Sequence, residues 1–118
     1  MANAEISVRV INASIGMGVF AEAPFSQGAL VEACRALPFL NAGVPDDTLF
    51  AHRLAWSDKE DCVATGFGML YNHSEDPNCE MIRLPRYETV PDLLCVVALR
   101  DIAPNEHLTI KYKCAPWW

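Results

Sequence analysis

Seven consecutive residues carry the densest chemistry in this chain: Asn72-His73-Ser74-Glu75-Asp76-Pro77-Asn78. Asn, His and Ser each donate and accept hydrogen bonds, to main chain as readily as to a ligand. They stand between an apolar stretch, Phe67 to Tyr71, and a new strand-like run from Cys79. The segment can therefore be tied into the interior while its main-chain groups hold a small polar molecule. The plainer alternative is a turn in which His73 is satisfied and partly buried. Metal binding is not favoured, because His52 and His107 are far from His73 in sequence. Gly16-Met17-Gly18 is a second candidate, since two glycines flanking one residue let a backbone approach a ligand closely. It lacks the third glycine and the helix that phosphate binding requires, and a glycine turn between strands needs no ligand. Tyr112 is the third, a phenol at the end of the alternating run from Leu108, whose plain reading is a strand tyrosine with its hydroxyl in water.

The elements that must position these residues are short. Ile6, Val8 and Val10 alternate with Ser7, Arg9 and Ile11, the period of a half-buried strand. Gly16-Met17-Gly18 reads as a tight turn into a strand over Val19 to Ala21. Pro24 to Gly28 reads as another turn, before a strand over Ala29 to Cys34. Asn41 to Asp47 is loop chemistry. Thr48 to Trp56 could be a helix capped by Asp47, and reads better as a strand paired with Cys62 to Thr65 through the turn Ser57 to Asp61. Gly66 to Tyr71 reads as a short helical turn, and Cys79 to Leu84, Leu93 to Leu99 and Leu108 to Tyr112 as further strands. Many short strands with almost no helix exclude a doubly wound nucleotide-binding fold, so any cofactor must be held by loops.

The 118 residues fit a single domain, 1–118, and 52% hydrophobic with 20% charged residues is globular composition. A formal charge of −6 argues against nucleic acid as a direct partner and suits a basic protein or peptide. No apolar run approaches the roughly 20 residues that span a bilayer, and the N-terminus has no secretory pattern, so no membrane association is expected. The five cysteines are scattered and form no Cys-x-x-Cys pair, which reads as thiols in a reducing, intracellular compartment.

Together, in this order and spacing, the motifs resemble the SET-domain family of protein lysine methyltransferases. Gly16 to Ala21 looks like the family's Gly-x-Gly turn, and Gln27 to Glu32 is similar to the strand that follows. Gly66 to Asn78 resembles the stretch with Asn-His-Ser and a trailing Pro-Asn. Ala98 to Tyr112 resembles the end segment leading to the catalytic Tyr. The nearest look-alikes in length are small stand-alone SET proteins of large viruses and bacteria. The resemblance implies a mainly β fold of short curved sheets with a C-terminal pseudoknot. It implies methyl transfer from S-adenosylmethionine to a lysine ε-amine of a basic protein, such as a histone tail. Met17, Gly18, Asn72 and His73 would then contact the cofactor. Tyr112 would be catalytic, and Thr48, Tyr71 and Trp117 would belong to the substrate side.

Several residues depart from the family pattern. The chain is expected to lack the zinc-binding segment that follows the domain in many relatives, leaving Cys114-Ala115-Pro116-Trp117-Trp118 to cover the site; the two tryptophans could equally pack on the surface or in a dimer. A homodimer that completes the site is one expectation. Lys113 and Cys114 stand where a Gly and an aromatic are usual, Thr48 where small viral relatives have a Tyr, and Glu75 where a Cys is common. His107 replaces a frequent acid and reads as an exposed His. The expected location is the cytoplasm, or a host nucleus if the source is viral. Two other readings remain: a binding module that keeps the fold without the chemistry, and an enzyme methylating a small-molecule amine.

Overall fold

The computed structural model describes residues 5–43 and 53–112. Thr48, Asp46, Asp47, Lys113, Cys114, Trp117 and Trp118 lie outside the described residues, so the expectations resting on them do too. The chain forms β1 (Ile6–Asn12), β2 (Gly16–Ala21), β3 (Leu30–Leu40), β4 (Leu54–Ala55), β5 (Glu60–Ala64), β6 (Asn72–His73), β7 (Cys79–Leu84), β8 (Leu93–Ala98) and β9 (His107–Ile110). The described residues contain no helix, and none long and apolar enough to cross a membrane. Two sheets result, ordered β1-β2-β9-β6 and β4-β5-β3-β8-β7.

Alternation writes the core directly in most strands. Cys79 and Met81 of β7, Leu108 and Ile110 of β9, and Leu94, Val96 and Ala98 of β8 are buried. In β3 the buried residues are Val31, Cys34 and Ala36, and the odd spacing marks a register shift between Leu30 and Glu32. A bulge there adds one residue and turns the alternation over. β3 pairs with β8 as far as Arg35 and with β5 from Ala36 onward. Pro38 is thus tolerated, because by that point β8 has left the strand. The alternation of β1 is only half used. Ile6 is buried, whereas Val10, near the hairpin end, is exposed.

Several elements differ from the sequence reading, and β3 runs on to Leu40, well past the end expected at Cys34. The hairpin turn is Ala13–Ile15, tied by Asn12 Oδ1 accepting from the amides of Ser14 and Ile15, and Gly16 already belongs to β2. An Asn side chain mimics a turn as well as glycines do. Residues 66–71 make turn hydrogen bonds, Thr65 to Gly68 and Phe67 to Leu70, with no helix. Of the strand expected over Thr48 to Trp56, the described part is only Leu54–Ala55, paired with β5.

The segment after β6 clasps the last strand. β6 runs parallel to β9, pairing Asn72 with Thr109 and His73 with Ile110. Ser74 donates its amide to the Ile110 carbonyl. Asn78, buried, donates from Nδ2 to the His107 carbonyl at 2.9 Å and accepts the Thr109 amide at 2.8 Å. These bonds satisfy main-chain groups of β9 that lack a second strand there, a requirement in any interior. Cys34, Cys62, Cys79 and Cys95 are buried free thiols.

Candidate active site

Glu32 is where the site begins. The β3 bulge turns it toward residues 66–71, where Oε1 accepts the Tyr71 hydroxyl at 2.8 Å and Oε2 accepts the Phe67 amide at 2.9 Å. Gly66 adopts φ +64, and a Cβ there would run into Oε2 of Glu32. Glycine thus serves both the backbone conformation and the close approach. Burial, then the charge of Glu32, pushes the Tyr71 phenol far above its ordinary pKa, so it stays protonated and donates.

Tyr71 leads straight into β6, and consecutive residues of an extended chain face opposite ways. The Tyr71 carbonyl accepts the Tyr112 hydroxyl at 2.7 Å. Tyr71 and Tyr112 both line a cavity of about 590 Å³, whose walls include Met69, Met81, Leu99 and Ile110. Arg53, Glu80 and Lys111 add charge at its edge, with Arg53 held by Asp61 at 2.6 Å. Burial raises the Tyr112 pKa, which keeps its hydroxyl a donor to Tyr71. Asn72, the next residue, turns to β2 instead. Its Nδ2 donates to the Met17 carbonyl at 2.9 Å and lies 3.2 Å from His107 Nε2.

Gly18 is buried beneath this amide. A Cβ on it would stand 2.6 Å from His107 Nε2 and 2.9 Å from Asn72 Nδ2, so any larger residue displaces them. Met17 itself is half exposed. Its carbonyl and the Asn72 Oδ1, which bonds to nothing among the described residues, are acceptors suited to a ligand bearing an ammonium group. The sequence reading expected Met17, Gly18 and Asn72 to act together, and the fold brings them together.

His73 is used differently. Its Nδ1 accepts the Tyr112 amide at 2.8 Å, so Nε2 carries the proton toward Glu75 Oε1 at 3.0 Å. Both ring nitrogens are thus committed inside the protein, and only main-chain groups of His73 remain for a ligand. The ring leans on Tyr112, with centroids 5.1 Å apart. The His73 hydrogen bond and then Lys111 hold Glu75 below the usual carboxylate range. Glu75 therefore occupies its position as a bracket for the chain end.

Glu32, Asn78 and His107 were not singled out for these roles by sequence. His107 is not the exposed residue expected. Its ring stacks on Phe20 at 4.9 Å and 18°, and burial lowers its pKa. In the turn Ser57 to Asp61, Asp58 is exposed, whereas Asp61 is engaged by Arg53. No group of three or more His, Cys, Asp or Glu side chains able to hold a metal occurs among the described residues.

No curated protein sequence matches the chain significantly. Among solved structures, it is similar to the crystal structure of a Plasmodium falciparum protein described as a candidate histone methyltransferase. The TM-score is 0.79, with 23% identity over 98% of this chain and 99% of that one. At that identity the likeness speaks for the fold, a curled all-strand architecture. The sequence profile described as SET domain matches residues 16–113, which spans Met17, Gly18, Asn72 and Tyr112 alike. The chain therefore belongs to the SET domain family, a family of protein lysine methyltransferases.

Proposed function

We propose that this protein transfers a methyl group from S-adenosylmethionine to a lysine ε-amine of a basic protein or peptide, with a histone tail as the first substrate to try. The observation that carries the reading is the split at Tyr71–Asn72. One residue faces an apolar cavity with Tyr112, and the next faces Met17 and Gly18. Two ligands could therefore be held back to back, with the Tyr112 hydroxyl at the join.

The residues present fit the cofactor. The Met17 carbonyl and Asn72 Oδ1 would receive its amino group, and the missing Cβ of Gly18 lets the backbone close in. When bound, S-adenosylmethionine supplies an electrophilic methyl group on a sulfonium. The chain's own part is to prepare the amine. A lysine entering a cavity walled by Met69, Met81, Leu99 and Ile110 is dehydrated, which lowers its pKa and releases its proton to water. A positive charge close by acts in the same direction. The Tyr112 proton is committed to the Tyr71 carbonyl, so its oxygen lone pairs are left to accept an amine N–H and aim the nitrogen. Alignment of this kind can supply about 7–11 kcal/mol of barrier reduction in favourable cases. No strong general base is required once the proton has gone to solvent.

The net charge of −6 favours a basic partner. The test is incubation with S-adenosylmethionine and mixed histones or a lysine-rich peptide, reading added methyl masses. Methylated lysine supports the reading. Cofactor binding without methylation of any protein would redirect it to a small-molecule amine, and absence of cofactor binding to a binding module.

A further inference from the structure

We infer that His107 is a positioning residue of the cofactor site, acting through Asn72 by accepting one of its amide protons and so fixing which way the amide faces. The inference rests on the reading of Asn72 as a cofactor contact. The Met17 carbonyl can only accept, so the Asn72 atom 2.9 Å from it must be the NH₂ group. The same nitrogen is 3.2 Å from His107 Nε2, so its second proton meets the imidazole. Nε2 must then be unprotonated, with the proton on Nδ1. With both amide protons taken, Oδ1 is turned outward as an acceptor, the form a cationic ligand needs.

A protonated His107 would reverse the arrangement, setting N–H against N–H. It would also add positive charge beside a site meant for an ammonium and a sulfonium. The surroundings favour the neutral ring. The imidazole is sandwiched into the fold against Phe20, and the Arg9 guanidinium already lies over that ring, 4.9 Å from its centroid. Burial holds the pKa below the ordinary histidine value. The charged and polar groups on elements packed around it have partners. Arg9 of β1 is bound to Glu22, Glu106 to Arg100 and His73 of β6 to Glu75. β2 carries no charged residue, and β7 carries Glu80 at the cavity and Arg83 over Trp56. Asn72 is therefore the polar side chain that reads the protonation state of His107.

Two measurements test this. Nitrogen-15 shifts of the His107 ring in the protein without ligand should report the Nδ1–H tautomer, and an Nε2–H tautomer overturns the inference. Calorimetric titration with S-adenosylhomocysteine should show affinity steady from about pH 7.5 down to the usual histidine midpoint and falling about twofold or more below it, toward about pH 5. His107→Glu, whose carboxylate can still accept from Asn72, should bind with a nearly flat profile over that range. His107→Ala should bind more weakly at neutral pH and also lose the pH dependence. Wild-type binding that ignores pH, or His107→Glu keeping the wild-type profile, overturns the inference alone. No binding at any pH overturns the cofactor reading and takes this inference with it.

Discussion

The Tyr112 hydroxyl is bonded to the carbonyl of Tyr71, a residue 41 positions earlier, at 2.7 Å. That bond fixes a side chain near the chain end against the segment that precedes β6. Its loss should separate chemistry from folding. Tyr112→Phe keeps the ring and its lean on His73. The expected result is a fall in kcat on the order of 10²-fold, the scale of losing alignment at a reacting centre, with cofactor affinity nearly unchanged. Single-turnover methylation alongside calorimetric binding measures both. Activity close to wild type would remove Tyr112 from the mechanism.

Gly18→Ala should do the reverse. The atoms that its Cβ would meet are the far ends of the His107 and Asn72 side chains, which can swing away. Stability should drop by less than about 1 kcal/mol, because no backbone must move. Affinity for S-adenosylhomocysteine should fall at least about tenfold, since the displaced amide no longer presents Oδ1. Denaturant titration and binding on the same sample settle it; unaltered affinity would contradict the assigned site.

Asn78→Ala should be among the most destabilising single changes. It leaves the Thr109 amide and the His107 carbonyl without the Asn78 partners buried beside them. Each orphaned group costs about 1–3 kcal/mol, so a total of about 2–6 kcal/mol is expected. Urea unfolding gives the number, and a loss below about 1 kcal/mol would mean that water replaces the side chain.

Glu32→Ala should cost about 2–6 kcal/mol as well, by leaving the buried Tyr71 hydroxyl and the Phe67 amide unpaired. Tyr71→Phe should cost less, because Glu32 keeps its Phe67 bond. The ranking of the two, read from thermal or urea unfolding, tests whether Glu32 organises residues 66–71.

Alkali should unfold this protein cooperatively. Burial raises the thiol pKa of Cys34, Cys62 and Cys79 from 9.0 to about 12, and that of the Tyr71 phenol further. Above the unfolded thiol pKa the unfolded chain releases protons that the folded chain retains, so stability falls as pH rises. Each group contributes a slope of about 1.4 kcal/mol per pH unit between its two pKa values. The contribution is complete below pH 9.0 and is lost between there and about pH 12. Urea midpoints measured upward from neutral pH should stay level and then drop; a level line throughout that window would contradict the burial of these thiols.

Much of this architecture could be read from residue order. The strand-like runs over Cys79 to Leu84 and Leu93 to Leu99 match β7 and, but for Leu99, β8 residue for residue. The polar run Asn72 to Asn78 looked interior because each side chain could bond main chain, and Asn78 does so twice. β6 could not be foreseen by periodicity, since two residues make no period and the partner is 37 positions away. Glu32 carries no sign in its strand that its side chain is buried, and the bulge before it turns the carboxylate inward. In the same way, Tyr112, Met17 and Asn72 declare themselves by type and spacing. His107 carries no local signal, because its environment is made by Phe20 and Asn72 from two other strands.

β9 lies between β2 and β6, so the four-stranded sheet is joined only by residues 107–110. While the chain leaves the ribosome, the β1–β2 hairpin can close early, but Asn72 and His73 have no strand to join until residues 107–110 have emerged. Such distant pairing is slow, because the entropy of closing the intervening loop is lost before any contact rewards it. The half-made protein carries an unprotected edge on β2 during that wait, and nascent chains stalled before residue 107 are the species expected to recruit chaperones or to aggregate.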